Sequence, residues 1–294
     1  FEAYVDKYGQ PDLLHAHNCD PAGILAADLS SSFNIPFVLT EHSSYFHRQL
    51  IPQSLMPKLR HALDSAAVVG VVSPRLGQDL HKHAGLSLQK TQWMPNVIDP
   101  DFAAVPLAKS RETSAGFVFL SVGDLIPLKG HKELISAFAS TFRGQEGILK
   151  IAGNGPQMDS LNQHISEHGV KEQVTLLGRL GRTEVRDAID QCDCLVLPSH
   201  YETFGVVLIE AMVRGKPVVA SDCGGPSCVV NSENGILVPP QDVSALGEAL
   251  LKMQQSYSQY NPAKIRQDVI ERFGHHRLIG DLTAAYNKAL GNDV

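Results

Sequence analysis

Short runs of almost wholly apolar residues alternate along this chain with amphipathic stretches of helical period. No other feature of the sequence restricts its fold so sharply. A strand with one wet face alternates apolar and polar residues. A strand that is apolar throughout belongs to a sheet covered on both faces, the habit of parallel sheets with crossover helices. The first set of runs is PDLLHAH, IPFVLT, AAVVGVVS and TQWMPN, with helical stretches PAGILAADLSSSF, LMPKLRHALDSA and SPRLGQDLHKH among them. The second set is FVFLSVG, LKIAGNG, VTLLGR, DCLVLPS, KPVVASD and GILVPP. Its helices are HKELISAFASTF, PQMDSLNQHISEHG, TEVRDAIDQC, FGVVLIEAMVRG, a short PSCVV and SALGEALLKMQQSY. Six strand–helix units are the content of one doubly wound sheet. Two further helices, PAKIRQDVIERF and HHRLIGDLTAAYNKALG, close the chain.

The two sets are separated by DPDFAAVPLAKSRETSAG, which is rich in Pro, Ser, Thr and charge and has little periodicity. Such a stretch reads as a linker. The expected organisation is an N-terminal α/β domain over 1–105, a larger one over 106–275, and a C-terminal helix over 276–294 that returns to the first domain. The front part supplies about four strands, so its sheet is expected to be short, with exposed edges prone to association. The chain opens FEAYVDKYG without Met, as a processed chain or a fragment would.

Composition removes several function classes. A net charge of -6 lacks the basic footprint of a nucleic-acid binder. No apolar run approaches the roughly 20 residues of a membrane span, and no signal-peptide pattern opens the chain. The five cysteines form no C-x-x-C pair. They read as reduced core thiols of a cytoplasmic protein. The His spacing suits no zinc site, so no metal is expected.

In sheets of this type ligands bind beyond the carboxyl ends of the strands, and the informative residues fall in those turns. In VGDLIPLKG a strand ends at Gly123, Asp124 follows, and Lys129 precedes a helix start, which makes a positive corner for a phosphate. A solvated surface lysine is the alternative. In IAGNGPQM, Gly153 and Gly155 turn the chain sharply out of its strand, either for tight-turn geometry alone or for close approach by a ligand. In LVLPSHYETFGVVLIEAM, Glu202 lies in the turn and Glu210 sits eight positions on, flanked by apolar residues. A buried carboxylate is expensive unless hydrogen-bonded. Carboxylates suit vicinal sugar hydroxyls, so one acid could hold a sugar and the other a ribose. A helix-dipole acid and an internally paired acid are the alternatives for Glu202 and Glu210 respectively.

The stretch PSHYETFGVVLIEAMVRGKPVVAS resembles the signature of retaining glycosyltransferases of family 4, which have the GT-B fold. SVGDLIPLKGHKELISAF resembles the family's diphosphate loop, and IAGNGPQM, VTLLGRL, DCGGPSCVV and NGILVPPQD follow in the family's order and spacing. The resemblance runs from Phe117 to the C-terminus. PDLLHAHN and IPFVLTEHSSYF resemble later strands of the acceptor-side domain, whose earlier strands and Gly-rich loop have no counterpart here.

The resemblance implies a GT-B protein: two Rossmann-like doubly wound parallel-sheet domains facing a cleft, the N-terminal one incomplete. It implies catalytic roles for Glu202, His42 and Lys129. Lys129 would bind the donor diphosphate, in a loop with Gly123 and Asp124 and beside Gly153 and Gly155. Glu202 would bind donor-sugar hydroxyls, backbone of Phe204, Gly205 and Val206 would touch sugar and phosphate, Glu210 would bind the ribose, and backbone near Arg179 and Leu180 would meet the base. His15 and His17 are read as structural. The family usually has Arg where this chain has Asp124, and Arg179, Arg182 and Lys132 are the bases that could pair with that acid. The implied partners are a nucleotide-diphosphate sugar as co-substrate and a glycan or lipid-linked acceptor. A lipid-linked acceptor is compatible with peripheral association at the inner membrane face. A GT-B nucleotide-sugar epimerase and a catalytically silent sugar-nucleotide-binding subunit are the alternatives.

Overall fold

The structure is a computed structural model that describes residues 1–108 and 116–292. The chain divides into two compact units, one of Phe1–Asn96 with the segment from His275, the other of Val97–Gly274.

The first unit holds four parallel strands in the order β1 (Leu14–His17), β2 (Phe37–Glu41), β3 (Val68–Val71) and β4 (Thr91–Trp93). Its helices are α1 (Glu2–Tyr8), α2 (Ile24–Phe33), α3 (Met56–Ser65) and α4 (Pro74–Ala84). Strands β2 and β3 are buried at every position, β3 with no polar side chain and β2 ending in the buried Thr40 and Glu41, whereas β4 is half-buried at an edge. Helix α4 starts where the sequence punctuates it: the Ser73 hydroxyl accepts from Leu76 N, Pro74 opens the helix, and Gly85 ends it at φ 78°. A short strand-free opening gave no sequence signal for α1. The C-terminal helix α12 (His275–Leu290) lies on this sheet: Ala285 is buried with Val38, Val68 and Met94.

Among the described residues the second unit contains six parallel strands, β5 (Val118–Val122), β6 (Ile148–Ala152), β7 (Val174–Gly178), β8 (Cys194–Leu197), β9 (Val218–Ser221) and β10 (Gly235–Val238). Their spatial order is β10-β9-β8-β5-β6-β7. From β5 the chain winds outward through β6 to β7, then crosses back to β8 on the other side of β5. That reversal puts the carboxyl ends of β5 and β8 side by side, the place where open α/β sheets bind ligands. The covering helices are α6 (His131–Phe142), α7 (Met158–Glu167), α8 (Arg182–Asp190), α9 (Val206–Val213), α10 (Val243–Ser256) and α11 (Pro262–Phe273), after a short α5 (Pro100–Ala103). The core is aromatic where β5 meets α6: Phe119 touches Phe138 and Phe142 at ring distances of 6.3 and 5.4 Å. Burying one such ring stabilises by roughly 1.5–3 kcal/mol.

Three expectations are corrected. The division falls at Asn96–Val97 rather than near residue 105. The first part of the expected linker is packed structure: Phe102 is buried, and the Arg214 guanidinium donates to the carbonyls of Phe102, Val105 and Pro106 at 3.2, 2.6 and 2.7 Å. Residues 109–115 of that linker lie outside the described residues. Finally, PSCVV forms only a 3-10 turn at Pro226–Cys228, because its apolar valines are drawn into the core instead of continuing a helix.

Candidate functional site

The turns after β5, β6 and β7 interlock. Gly123 N donates to Ala152 O, Leu125 N to Asn154 O and Gln157 N to Leu125 O, at 3.0, 2.9 and 3.0 Å. The glycines of IAGNG are required by this contact. A Cβ on Gly153 would lie 1.9 Å from the Gly123 carbonyl oxygen, and one on Gly155 would lie 2.6 Å from that of Leu125. Beyond the strand ends lies a cavity of about 440 Å³. Gly123, Asp124, Gly153, Gly155, Arg179 and Leu180 all line it. Val122, Ala152, Asn154 and Val185 complete the lining; sequence reasoning named none of them, although Asn154 sits inside the G-N-G it quoted.

A second cluster adjoins the cavity, because Lys129 methylenes lie against Gly123, 3.6 Å from where its Cβ would be. Lys129 sits in a 3-10 turn ending at Gly130, whose φ is 69°. A Cβ there would come 2.1 Å from Pro198 O, so the turns after β5 and β8 touch directly. His200 N donates to Leu128 O at 2.8 Å across the same junction. The Lys129 Nζ and Glu202 Oε1 are 2.5 Å apart. Ser199 Oγ donates to the same oxygen at 2.9 Å. Glu202 is held from behind as well, its carbonyl accepting from Gly225 N at 2.8 Å. Ser199 is a further residue that motif reading passed over. Beside Lys129, the buried His131 has its pKa pushed down to about 4 by desolvation, so no second positive charge stands there at neutral pH.

Helix α9 begins at Gly205, φ 91°, with Val206 exposed and Phe204 buried edge-on against Phe273 at 5.5 Å. Glu210 is half-buried on this helix, and among the described residues no donor hydrogen-bonds its carboxyl. Burial raises its pKa above the ordinary carboxylate range, with the positive Arg182 opposing. Arg182 itself is ion-paired with Asp99. Asp124 is exposed, and among the described residues none of Arg179, Arg182 or Lys132 is ion-paired with it.

His42 belongs to the first unit, just after β2. The Glu41 carboxylate, which sequence reasoning missed, is fully buried and accepts from Cys19 N, His42 N and Ser43 N at 2.8, 3.0 and 2.7 Å. His17, read as structural, contacts the candidate residue His42: His17 Nδ1 lies 3.0 Å from His42 Nε2. Among the described residues no group of three or more His, Cys, Asp or Glu side chains could hold a metal ion, and no helix is long and apolar enough to cross a membrane.

Two parallel α/β units, the second with a strand-order reversal, have the architecture of a GT-B type protein. Solved structures agree on the fold. Sucrose-phosphate synthase from Thermosynechococcus elongatus has TM-score 0.82 at 24% identity, covering 100% of this chain and 77% of its own. The Anabaena protein HepE, solved in complex with UDP, has TM-score 0.84 at 22% identity, covering 97% and 81%. The chain belongs to the glycosyl transferases group 1 family, whose model matches residues 107–272, while the Glycosyltransferase Family 4 model matches residues 2–102. It is 32% identical to a glycogen synthase of Mycobacterium tuberculosis over 84% of this chain, and spans 61% of that relative's length. It is 28% identical to an alpha-D-kanosaminyltransferase of Streptomyces kanamyceticus, over 82% of this chain and 67% of the relative.

Proposed function

We propose that this protein transfers a sugar from a nucleotide-diphosphate sugar to an acceptor hydroxyl, with retention of anomeric configuration. The observation that carries the reading is the Lys129–Glu202 pair beside a nucleotide-sized cavity at the β5–β8 reversal. A base and ribose suit the cavity, with backbone near Arg179 and Leu180 meeting the base and Glu210 accepting from ribose hydroxyls. Lys129 and the N-terminus of α6 take the diphosphate, and Glu202 accepts from hydroxyls of the sugar. Backbone of Phe204, Gly205 and Val206 lies next to sugar and phosphate. Retention is supported by the resemblance of the Glu202–Glu210 spacing to that of retaining enzymes. As the bond to the anomeric carbon breaks, negative charge collects on the leaving diphosphate, and fixed positive charge beside it lowers the barrier. The acceptor is a glycan or a lipid-linked hydroxyl, and no metal is needed for these steps. A thermal-shift screen of nucleotide sugars tests the reading, since a ligand bound only to the folded state raises Tm. Product analysis follows, with an epimerase recognised by turnover without acceptor. If no nucleotide sugar raises Tm or is consumed, the reading fails.

Glu210 gives a prediction with two opposed arms. Its carboxyl lacks a donor within the described protein, so the ribose hydroxyls would be its partners. Glu210→Gln should weaken donor binding by about 1–3 kcal/mol, the scale of a hydrogen bond to a charged group. Burial raises the folded-state pKa. A raised carboxyl favours folding below its unfolded pKa and loses that contribution as pH rises through the folded value. At pH 7 the glutamine should therefore melt higher than the parent in the absence of nucleotide. A lower Tm together with unchanged donor affinity would refute both arms.

Asp124 stands in the cavity with no ion-pairing base among the described residues. Asp124→Arg should tighten nucleotide-sugar binding, by about 1–3 kcal/mol, by replacing repulsion of the diphosphate with a charged donor. Titration calorimetry showing clear weakening would assign Asp124 a binding role of its own.

A further inference from the structure

We propose that His17 is a positioning residue for His42, its Nδ1 bond to His42 Nε2 fixing the tautomer and tilt of the His42 ring. The proposal rests on the reading above in one respect, that the oriented ring serves sugar transfer. His15 and His17 alternate with Ala16 along β1, so their side chains share one face of the strand. That face runs beside the end of β2, with His17 opposite Thr40 in the register. The rings of His15 and His17 stack at 4.4 Å, and those of His17 and His42 lie 5.3 Å apart at 25°. His15 is fixed at both nitrogens, Nε2 to Thr40 Oγ1 and Nδ1 to Tyr286 Oη, each at 2.8 Å. The stack therefore has a rigid floor, and His17 rests on it while reaching His42.

At 3.0 Å two ring nitrogens can share only one hydrogen. One ring donates, and the other must present its lone pair, so the choice made at His17 dictates which nitrogen of His42 carries a proton. Asn96 is the other side-chain partner of His42, oriented to favour its protonated form. The Glu41 carboxylate lies behind, engaged by the backbone N–H groups of Cys19, His42 and Ser43. Asn18 Oδ1 also accepts from His42 N at 3.1 Å, so the residue is held at its backbone as well as at its ring. Burial first, and His17 second, hold the His42 pKa below the ordinary imidazole value. Full protonation of both rings would set N–H against N–H and open the contact.

His17 is exposed, so its replacement need not disturb the core. In His17→Phe the stacking surface remains and the nitrogen is lost; in His17→Asn a side-chain donor and acceptor remain near the Nδ1 position. Long-range proton–nitrogen spectra of protein labelled at histidine nitrogen read the His42 tautomer and titration directly, without substrate. The expected result for His17→Phe is a mixed His42 tautomer and a titration midpoint moved upward, with kcat for the nucleotide sugar found in the screen reduced about 10- to 100-fold at little changed KM. His17→Asn should restore a single tautomer and most of kcat. Unchanged His42 nitrogen shifts and titration in His17→Phe would overturn the proposal. So would altered spectra with unchanged kcat in an active enzyme. If wild-type protein turns over no nucleotide sugar, the functional reading fails, while the spectra still decide whether His17 sets the His42 ring.

Discussion

Arg214→Ala should lower the stability of the second unit by about 3–5 kcal/mol, the cost of breaking a buried ion pair from one side. The Arg214 side chain is 1% exposed and bonds Asp190 through Nε and Nη2 at 2.8 and 2.9 Å. Its remaining N–H groups satisfy the carbonyls of Phe102, Val105 and Pro106. Truncation would strand a partly buried carboxylate and three acceptors at once. For a unit of this size the loss corresponds to a fall in Tm of roughly 10 °C or more. Arg214→Lys should recover little, because an ammonium cannot fork to a carboxylate and reach three carbonyls as a planar guanidinium does. Hydrogen exchange should rise selectively at residues 102–106. A stability loss below about 1 kcal/mol, or protection unchanged in that segment, would mean that Arg214 does not hold it down.

Lys129→Ala should act on the other quantity. Under the proposed function Lys129 faces charge that peaks in the transition state, so kcat should fall about 100- to 1,000-fold, the scale of losing one preorganised charge-stabilising group. The folded state should lose little. The Lys129 and Glu202 side chains are 24% and 14% exposed, and Ser199 remains to bond Glu202. Exposed pairs contribute on the order of 1 kcal/mol or less, and this partly buried one should stay below the loss expected at Arg214, whose guanidinium also holds three carbonyls. Kinetics and thermal melts on the same preparation separate the effects. A large drop in Tm with a proportionate loss of activity would make Lys129 a structural lysine. The contrast with Arg214 is one of partners: the forked, buried cation bonds a carboxylate and three carbonyls, whereas Lys129 is paired with the Glu202 carboxylate at the strand ends.

Much of this protein was legible because its local signals are short-range. Runs such as FVFLSV and CLVL are apolar at nearly every position, and only a sheet covered on both faces accommodates them. Six such runs fixed the content of the second unit, and the turns after them contain Gly123, Lys129, Gly153 and Glu202. The glycines, too, were readable as backbone requirements, although the atoms they avoid were not. Pattern failed where chain polarity and order in space decide the outcome. Nothing local in LKG and YETFG says that Lys129 meets Glu202; the pairing exists because β8 lies against β5 rather than beside β7. Composition made 99–116 a linker because it sees polar residues and prolines, not the arginine more than 100 positions on whose N–H groups bind the backbone of Phe102, Val105 and Pro106. The contact of His17 with His42 was invisible for the same reason: the two are 25 residues apart, brought together by the pairing of β1 with β2. Periodicity reports which face of an element is dry, a property of neighbours in sequence. Which loop, charge or imidazole faces which is set by strand order and register, and these emerge only when the whole core closes.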